Sequence, residues 1–416
     1  MKVLIFAFVL TYISAINSFE IQKIEGVEGY AYDVIFDSKF NSYVDATGPD
    51  DYDVERLYKL DPQNNVVFVM EFINISLSMR LNDKDELYLF SYSYDDIFTF
   101  NISIIRVNSS ELEHIATVNM GTFLVDNDGN LVYYSVNDGI VFLKYNTTDP
   151  VTVKNLEHFL WAENPFVTDS NGNTYLAGLD LDVFENQLVV IPGDSKEGTP
   201  EGFIVEGVLN TNDYVEQIAI NSNDELLISV SNIENISSVK KLVNGTVTTI
   251  YANENYNSYY IYTSEKRTII TADDSLNGTG RVTVLSPDGE SVEISNSRNE
   301  TWSSEFKSIS IDEEGSAFIE WSTEEEEYSQ FEFLNYTETK SVEVDLGDDI
   351  FIYYSMFDGN NNLWVKTLYQ TYFLRKGSLE LELVPNATDL INIFVNKKQS
   401  TEIYMSSWDG LYIVSN

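Results

Sequence analysis

Asp169-Ser170-Asn171-Gly172-Asn173-Thr174-Tyr175 decides the fold. The Asp favours the start of a turn, the Gly tolerates positive φ, and the Tyr opens an apolar alternating run. The same phrase recurs along the chain. In consensus it reads Asp/Asn-x-x-Gly/Asp/Asn-Asn/Glu-x-aromatic/aliphatic, between one alternating run and the next. Clear copies start at Asp37, Asn82, Asp126, Asp169, Asn221, Asp312 and Asp358, and looser ones at Thr263 and Asn396. Successive starts are 45, 44, 43, 52, 42, 49, 46 and 38 residues apart. A period of about 40–50 residues built from short strands marks a β-propeller.

Each repeat resolves into four strands, A to D, with the phrase on the A–B turn. In repeat four these are Asn164–Val167, Thr174–Ala177, Gln187–Ile191 and Gly202–Val205. A second register agrees with the first. The C–D turns align at Leu60-Asp61-Pro62, Val107-Asn108-Ser109, Tyr145-Asn146-Thr147, Val243-Asn244-Gly245, Leu285-Ser286-Pro287, Leu334-Asn335-Tyr336 and Arg375-Lys376-Gly377. The last repeat holds only three strands, Ile391–Val395, Glu402–Ser406 and Gly410–Val414, and the N-terminal run Phe19–Ile24 supplies the fourth. The expected fold is therefore all-β: a single propeller of four-stranded antiparallel blades, closed by the N-terminal strand, which removes a free edge. The repeats number nine. Eight is the alternative count, because repeat six lacks a good signature.

Composition bears on compartment. Met1-Lys2, the apolar run Val3–Ala15 and the small residue Ser18 read as a secretory signal peptide over 1–17, with the propeller at 18–416. No later stretch reaches transmembrane length. Asn-x-Ser/Thr sequons stand at Asn74, Asn101, Asn108, Asn146, Asn235, Asn244, Asn277, Asn299, Asn335 and Asn386, as in a secreted glycoprotein. The absence of cysteine excludes disulfides, thiolate metal sites and cysteine nucleophiles. With 67 acids against 24 bases the net charge is −43. That argues against nucleic acid and anionic membrane surfaces as partners and favours cationic groups, divalent ions or plain solubility.

The A–B and C–D turns are short and regular. The B–C loops are longer and carry acids at Asp50, Asp51, Asp53, Asp95, Asp96, Asp180, Asp182, Glu185, Asp273, Asp274 and Glu324 to Glu327. Irregular loops on a rigid scaffold are where function usually resides. The expected binding face therefore combines the B–C and D–A loops, with Tyr52, Tyr94, His158, Trp161, Phe184, Tyr256, Tyr259 and Trp302 as ligand-binding residues. Aromatic rings among acids suit cationic groups and flat molecules.

Catalytic constellations are thin. Only His114 and His158 are present. His114 sits in a strand-like run, and His158 lies beside Trp161 and Glu163. No catalytic residue is assigned and no cofactor is expected; a divalent cation is the one kept open. Asp126-x-Asp128-Gly129 and Asp169-x-Asn171-Gly172 superficially match calcium loops, but the later EF-hand positions are wrong and turn chemistry explains them better. Trp408-Asp409 is a lone Trp-Asp pair without the companion Gly-His of WD repeats.

The phrases Asp126–Val132, Asp169–Tyr175 and Asp358–Trp364 resemble the blade signature of the assemblage that includes NHL-repeat, regulator-propeller and regucalcin/gluconolactonase-like proteins. Insect ommochrome-binding proteins are similar in kind, secreted and non-enzymatic. The resemblance implies a propeller over nearly the whole chain. It implies one of two roles: a carrier of a small molecule or extracellular protein, or a metal-dependent lactonase/esterase-like hydrolase with a divalent ion in the central channel. A structural or storage protein of an extracellular fluid is the third expectation.

Overall fold

A computed structural model describes residues 19–48, 53–93, 96–119, 123–126, 128–147, 149–161, 166–210, 212–232, 237–252, 258–274, 279–287, 289–296, 302, 305–322, 329–346, 352–396 and 402–415. Nine antiparallel sheets follow one another along the chain, so the fold is a nine-bladed β-propeller. The only helical segment among the described residues is the short 3-10 turn Gly193–Glu197. No described helix is long and apolar enough to cross a membrane. The signal-peptide segment lies outside the described residues.

The chain divides into two compact units. The first holds three blades. Blade one is Ala31–Phe36, Ser42–Thr47, Val54–Leu60 and Val66–Ile73. Blade eight is Ile352–Phe357, Leu363–Thr367, Thr371–Leu374 and Leu381–Leu383. Blade nine is Ile393–Val395, Glu402–Ser407 and Gly410–Ser415, completed by Glu20–Lys23 pairing with Gly410–Ser415. The shared blade expected from the leftover N-terminal run is thus present. The second unit holds blades two to seven, from Ile75–Leu81 to Val342–Glu343.

The A–B turns explain why the signature recurs. In blade one the Asp37 Oδ1 accepts backbone N–H groups of Lys39 and Asn41 at 2.9 Å each, and the Phe40 N–H donates to the Asp37 carbonyl. Residue four of the phrase takes positive φ every time: Phe40, Asp85, Gly129, Gly172, Asp224, Gly315 and Asn361. Residue five ties the A–B turn to the C–D turn. Asn130 Oδ1 accepts the Tyr145 N–H at 2.9 Å, Asn173 the Gly193 N–H at 3.0 Å, and Asn362 the Lys376 N–H at 3.0 Å. The turn carboxylates and amides thereby satisfy backbone N–H groups of both turns, which is what burial demands. Asp126 and Asp169 hold turns together in this way, as turn chemistry predicted.

Blade six departs from the phrase. Its A–B connection is a tight turn closed by Ser264 N–H to Arg267 carbonyl. Arg267 is buried there, and its guanidinium reaches the Gly315 and Tyr336 carbonyls of blade seven. Burial pushes its pKa down to about 10. The Ser264 hydroxyl takes the place of the missing carboxylate, accepting the Lys266 and Arg267 N–H groups at 3.3 and 3.2 Å.

Blades pack face to face through alternating apolar rows. Leu124, Val132, Ile140 and Phe142 of blade three meet Leu176, Val189 and Ile191 of blade four, with Trp161 between them. Blade four also corrects the strand boundaries expected from sequence. Its inner strand is split into Phe159–Leu160 and Phe166–Thr168, both paired with Thr174–Asp180. The segment leading from Asn155 makes a tight turn, closed by the Phe159 N–H on the Leu156 carbonyl, and enters the sheet.

Candidate functional site

Two surfaces combine exposure with built geometry, one in each unit. The first lies at the B–C/D–A end of blades nine and one. The Ser407–Gly410 hairpin is pinned by Asp409, whose carboxylate accepts Lys23 Nζ at 2.9 Å and the Tyr412 hydroxyl at 3.0 Å. Lys23 also donates to the Asp409 carbonyl at 2.7 Å. At the hairpin tip Trp408 is 64% exposed. Tyr30 stacks on it with ring centroids 5.0 Å apart and planes 29° apart. Tyr32 meets Tyr30 edge-on at 5.0 Å and is 50% exposed. A bulge between Ala31 and Asp33 breaks the inner-strand register at Tyr32. Burial raises the Tyr30 hydroxyl above its ordinary value, with Tyr354 and Tyr32 adding to the shift. Tyr354, beside a second such bulge in blade eight, is exposed as well.

Blade one also buries acids. Asp45 and Glu55 lie inside adjacent strands, and Asp45 Oδ1 has no hydrogen-bond partner. Burial pushes the Asp45 carboxyl well above its ordinary range, and Glu55 and Asp33 push it further. In blade eight Lys366 is buried within reach of the Thr388 carbonyl at 3.3 Å, and desolvation brings its pKa down to about 8.

The second surface is a cleft of about 750 Å³ between blades four and five, at the A–B/C–D end. Asn171, Tyr175, Ile204, Glu206, Asp224 and Asn244 are among its lining. Its origin is the blade-four C–D connection. Pro192–Gly202 swings toward blade three, where Lys154 N–H donates to Pro200 and Gly202 N–H donates to Lys154, both at 2.9 Å. Only Phe203–Ile204 remains as the outer strand. The equivalent gap between blades two and three holds only about 20 Å³. Arg106 and Tyr145 line it, both bound to Glu86 at 3.3 and 2.8 Å. In the open cleft Tyr175 donates to Asp169 at 3.3 Å, and burial pushes its pKa up to about 12.

The residues expected from sequence are scattered. Tyr52, Tyr94 and Tyr256 lie outside the described residues, as do the loop acids Asp50, Asp51, Asp95 and Glu324 to Glu327. Trp161, Tyr259 and Trp302 are buried in the core rather than exposed on the loop face. Trp161 meets Phe166 edge-on at 5.6 Å. Trp302 donates its indole N–H to the Ile294 carbonyl at 2.9 Å and packs on Trp321. Tyr259 lies within the strand Ser258–Thr263. Burying rings this large stabilises the blades, at roughly 25 cal/mol for each Å² of apolar surface removed from water. Phe184 is exposed at a hairpin tip with φ +57°. His158 is exposed and lines a small recess with Asp180 and Asp182. His114 lies in the strand Leu112–Asn119, with Nε2 3.2 Å from the Thr117 hydroxyl. Tyr30, Tyr32 and Trp408 were absent from the expected set; Trp408-Asp409 stood out only as a lone Trp-Asp pair outside any WD pattern. Among the described residues no group of three or more His, Cys, Asp or Glu side chains is placed to hold a metal ion.

Of the sequon asparagines, Asn235, Asn277 and Asn299 lie outside the described residues. Asn74, Asn108, Asn146, Asn244 and Asn386 all sit at turn positions with positive φ. Asn101 is in a strand and Asn335 begins a C–D turn.

No protein-family model matches the chain, and no curated protein matches it in sequence. Solved structures do. A prolyl endopeptidase matches at TM-score 0.49 and 13% identity, over 92% of this chain and 55% of its own. An acylaminoacyl peptidase from Pyrococcus horikoshii matches at 0.45 and 12%, over 90% and 55%, so this chain spans about half the length of either peptidase. The β-propeller domain of the Trilobed protease from Pyrococcus furiosus matches at 0.44 and 10%, over 87% and 98%. The likeness is one of architecture.

Proposed function

We propose that this propeller is a secreted, glycosylated, non-enzymatic binding protein whose ligand seats on the Tyr30–Tyr32–Trp408 patch. The observation that carries the reading is the exposed Trp408–Tyr30 stack, continued edge-on by Tyr32, at the loop end where binding was expected. A stack with a free outer face accepts another flat ring or a cationic head group. The net charge of −43 raises the local concentration of cations around it. A flat organic cation or a basic side chain of an extracellular protein meets both requirements. The apolar N-terminal run and the sequons support the secretory route.

The test is a titration of the secreted protein with a planar aromatic cation, an acridinium, followed by tryptophan fluorescence. Saturable quenching that Trp408→Ala abolishes supports the reading. Quenching unaffected by that substitution, or none at all, overturns it.

A further inference from the structure

We infer that the cleft between blades four and five is the seat of an uncharged carbohydrate chain, the N-linked glycan of Asn244. The inference rests on the reading that the chain passes through the secretory route.

Asn244 is itself part of the cleft lining. It stands at the tip of the blade-five C–D turn, exposed, with φ +49°, and Gly245 follows at φ +74°. The sequon Asn244-Gly245-Thr246 is therefore complete on a solvent-facing hairpin beside an open cleft. Asn146 makes the internal comparison. It occupies the same C–D turn position in blade three, with φ +60°, and also borders an inter-blade gap. That gap holds about 20 Å³ and takes no sugar, whereas about 750 Å³ is open beside Asn244. The larger volume falls in the range of about 300–1,000 Å³ typical of small-ligand sites.

The lining has the chemistry a neutral sugar requires. Ile204, 50% exposed, offers an apolar surface against which the C–H face of a pyranose packs. Glu206 lines the cleft with an exposed carboxylate that accepts from hydroxyls or an acetamide N–H. Asp224, held by the Ser170 N–H and hydroxyl at 3.0 and 2.6 Å and by the Asn171 amide at 3.3 Å, keeps further lone pairs on the same side. Glu206 and Asp224 are exposed, so the cleft repels sulfated or sialylated chains and selects uncharged ones. A sugar tethered at the rim enters without the translational cost that a free sugar meets, because its effective concentration is set by the tether.

The full chain, secreted from a eukaryotic host, is digested under native conditions with peptide N-glycosidase F, and glycopeptides are followed by mass spectrometry over time. The expected result is that the Asn244 glycan is released about tenfold or more slowly than the Asn146 glycan, equivalent to a seat of about 1.4 kcal/mol. Ile204→Trp, which fills the apolar floor from a half-exposed position, should bring the two rates together. Equal release rates in the unaltered protein, or protection that survives Ile204→Trp, overturns the inference. So does an unmodified Asn244 in a chain glycosylated at Asn74 and Asn146, an outcome that leaves the secretory reading standing. A chain with no glycan anywhere overturns both.

Discussion

Lys196 Nζ lies 2.9 Å from Asp126 Oδ2, joining residues 70 positions apart, with both side chains buried. The same ammonium donates to the Gly172 carbonyl at 2.7 Å and the Thr174 hydroxyl at 2.9 Å. One lysine therefore ties the signature turns of blades three and four together. It also pulls Gly193–Glu197 toward blade three and opens the cleft on the far side. Removing one partner of a buried pair leaves the other charge uncompensated, at a cost of about 3–5 kcal/mol. Lys196→Met should lower stability by that order in a urea titration followed at the buried tryptophans. Lys196→Met combined with Asp126→Asn should lose less than the two single variants together.

Trp408 is the single exposed tryptophan of five. Trp161, Trp302, Trp321 and Trp364 are all buried. Acrylamide should quench a minor red-shifted part of the emission and leave the rest protected. Trp408→Ala should remove the quenchable part, and losing the stack on Tyr30 should cost about 0.5–1.5 kcal/mol of stability in a thermal melt.

Stability should fall as pH rises from 3.8 to about 7. Burial pushes the Asp273 carboxyl from 3.8 up to about 7, with Glu216 adding to the shift. The folded state therefore holds a proton that the unfolded chain releases. The stabilising contribution is complete below pH 3.8 and is lost progressively up to about 7. Asp273→Asn should raise the melting temperature by a few degrees at pH 8 and leave it nearly unchanged at pH 4. A melt series showing the opposite pH trend would refute this assignment.

Two glycines separate backbone strain from steric conflict. Gly129 has φ +84°, and a Cβ there would lie 2.6 Å from Asn82 Nδ2 and 3.0 Å from the Tyr145 ring. Gly245 has φ +74° with nothing within 4 Å. Gly245→Ala should cost only the left-handed penalty of about 1–2 kcal/mol. Gly129→Ala adds displacement of the neighbouring blade's Asn82 and should cost more, measured as the difference between the two unfolding free energies.

Much of the fold was legible because its signals are local. The A–B phrase works within five residues: Asp37 binds the backbone of Lys39 and Asn41 without help from other blades. The binding residues were less legible. Tyr30 and Trp408 are far apart in sequence, and nothing in either neighbourhood announces the other. Tyr259 and Trp302 were expected in D–A loops. Tyr259 sits on strand A of blade six, and the isolated bridge Gly280 to Trp302 draws Trp302 into the sheet.

The sequence by itself determined the kind of blade, the turn chemistry and the pairing of the two ends, because periodic strands and αL turn residues act over short range. Lys23 and Asp409, 386 residues apart, are brought together by that pairing. That the blades number nine rather than eight is decided by the structure, which pairs Ser258–Thr263 and its neighbours into a full sheet despite the weak signature there. The tertiary structure alone decided which aromatics face water and where the ring of turns is left open. Both depend on side chains from different blades competing for the same space, as Lys196 does when it reaches back to Asp126 and leaves blade four with a two-residue edge.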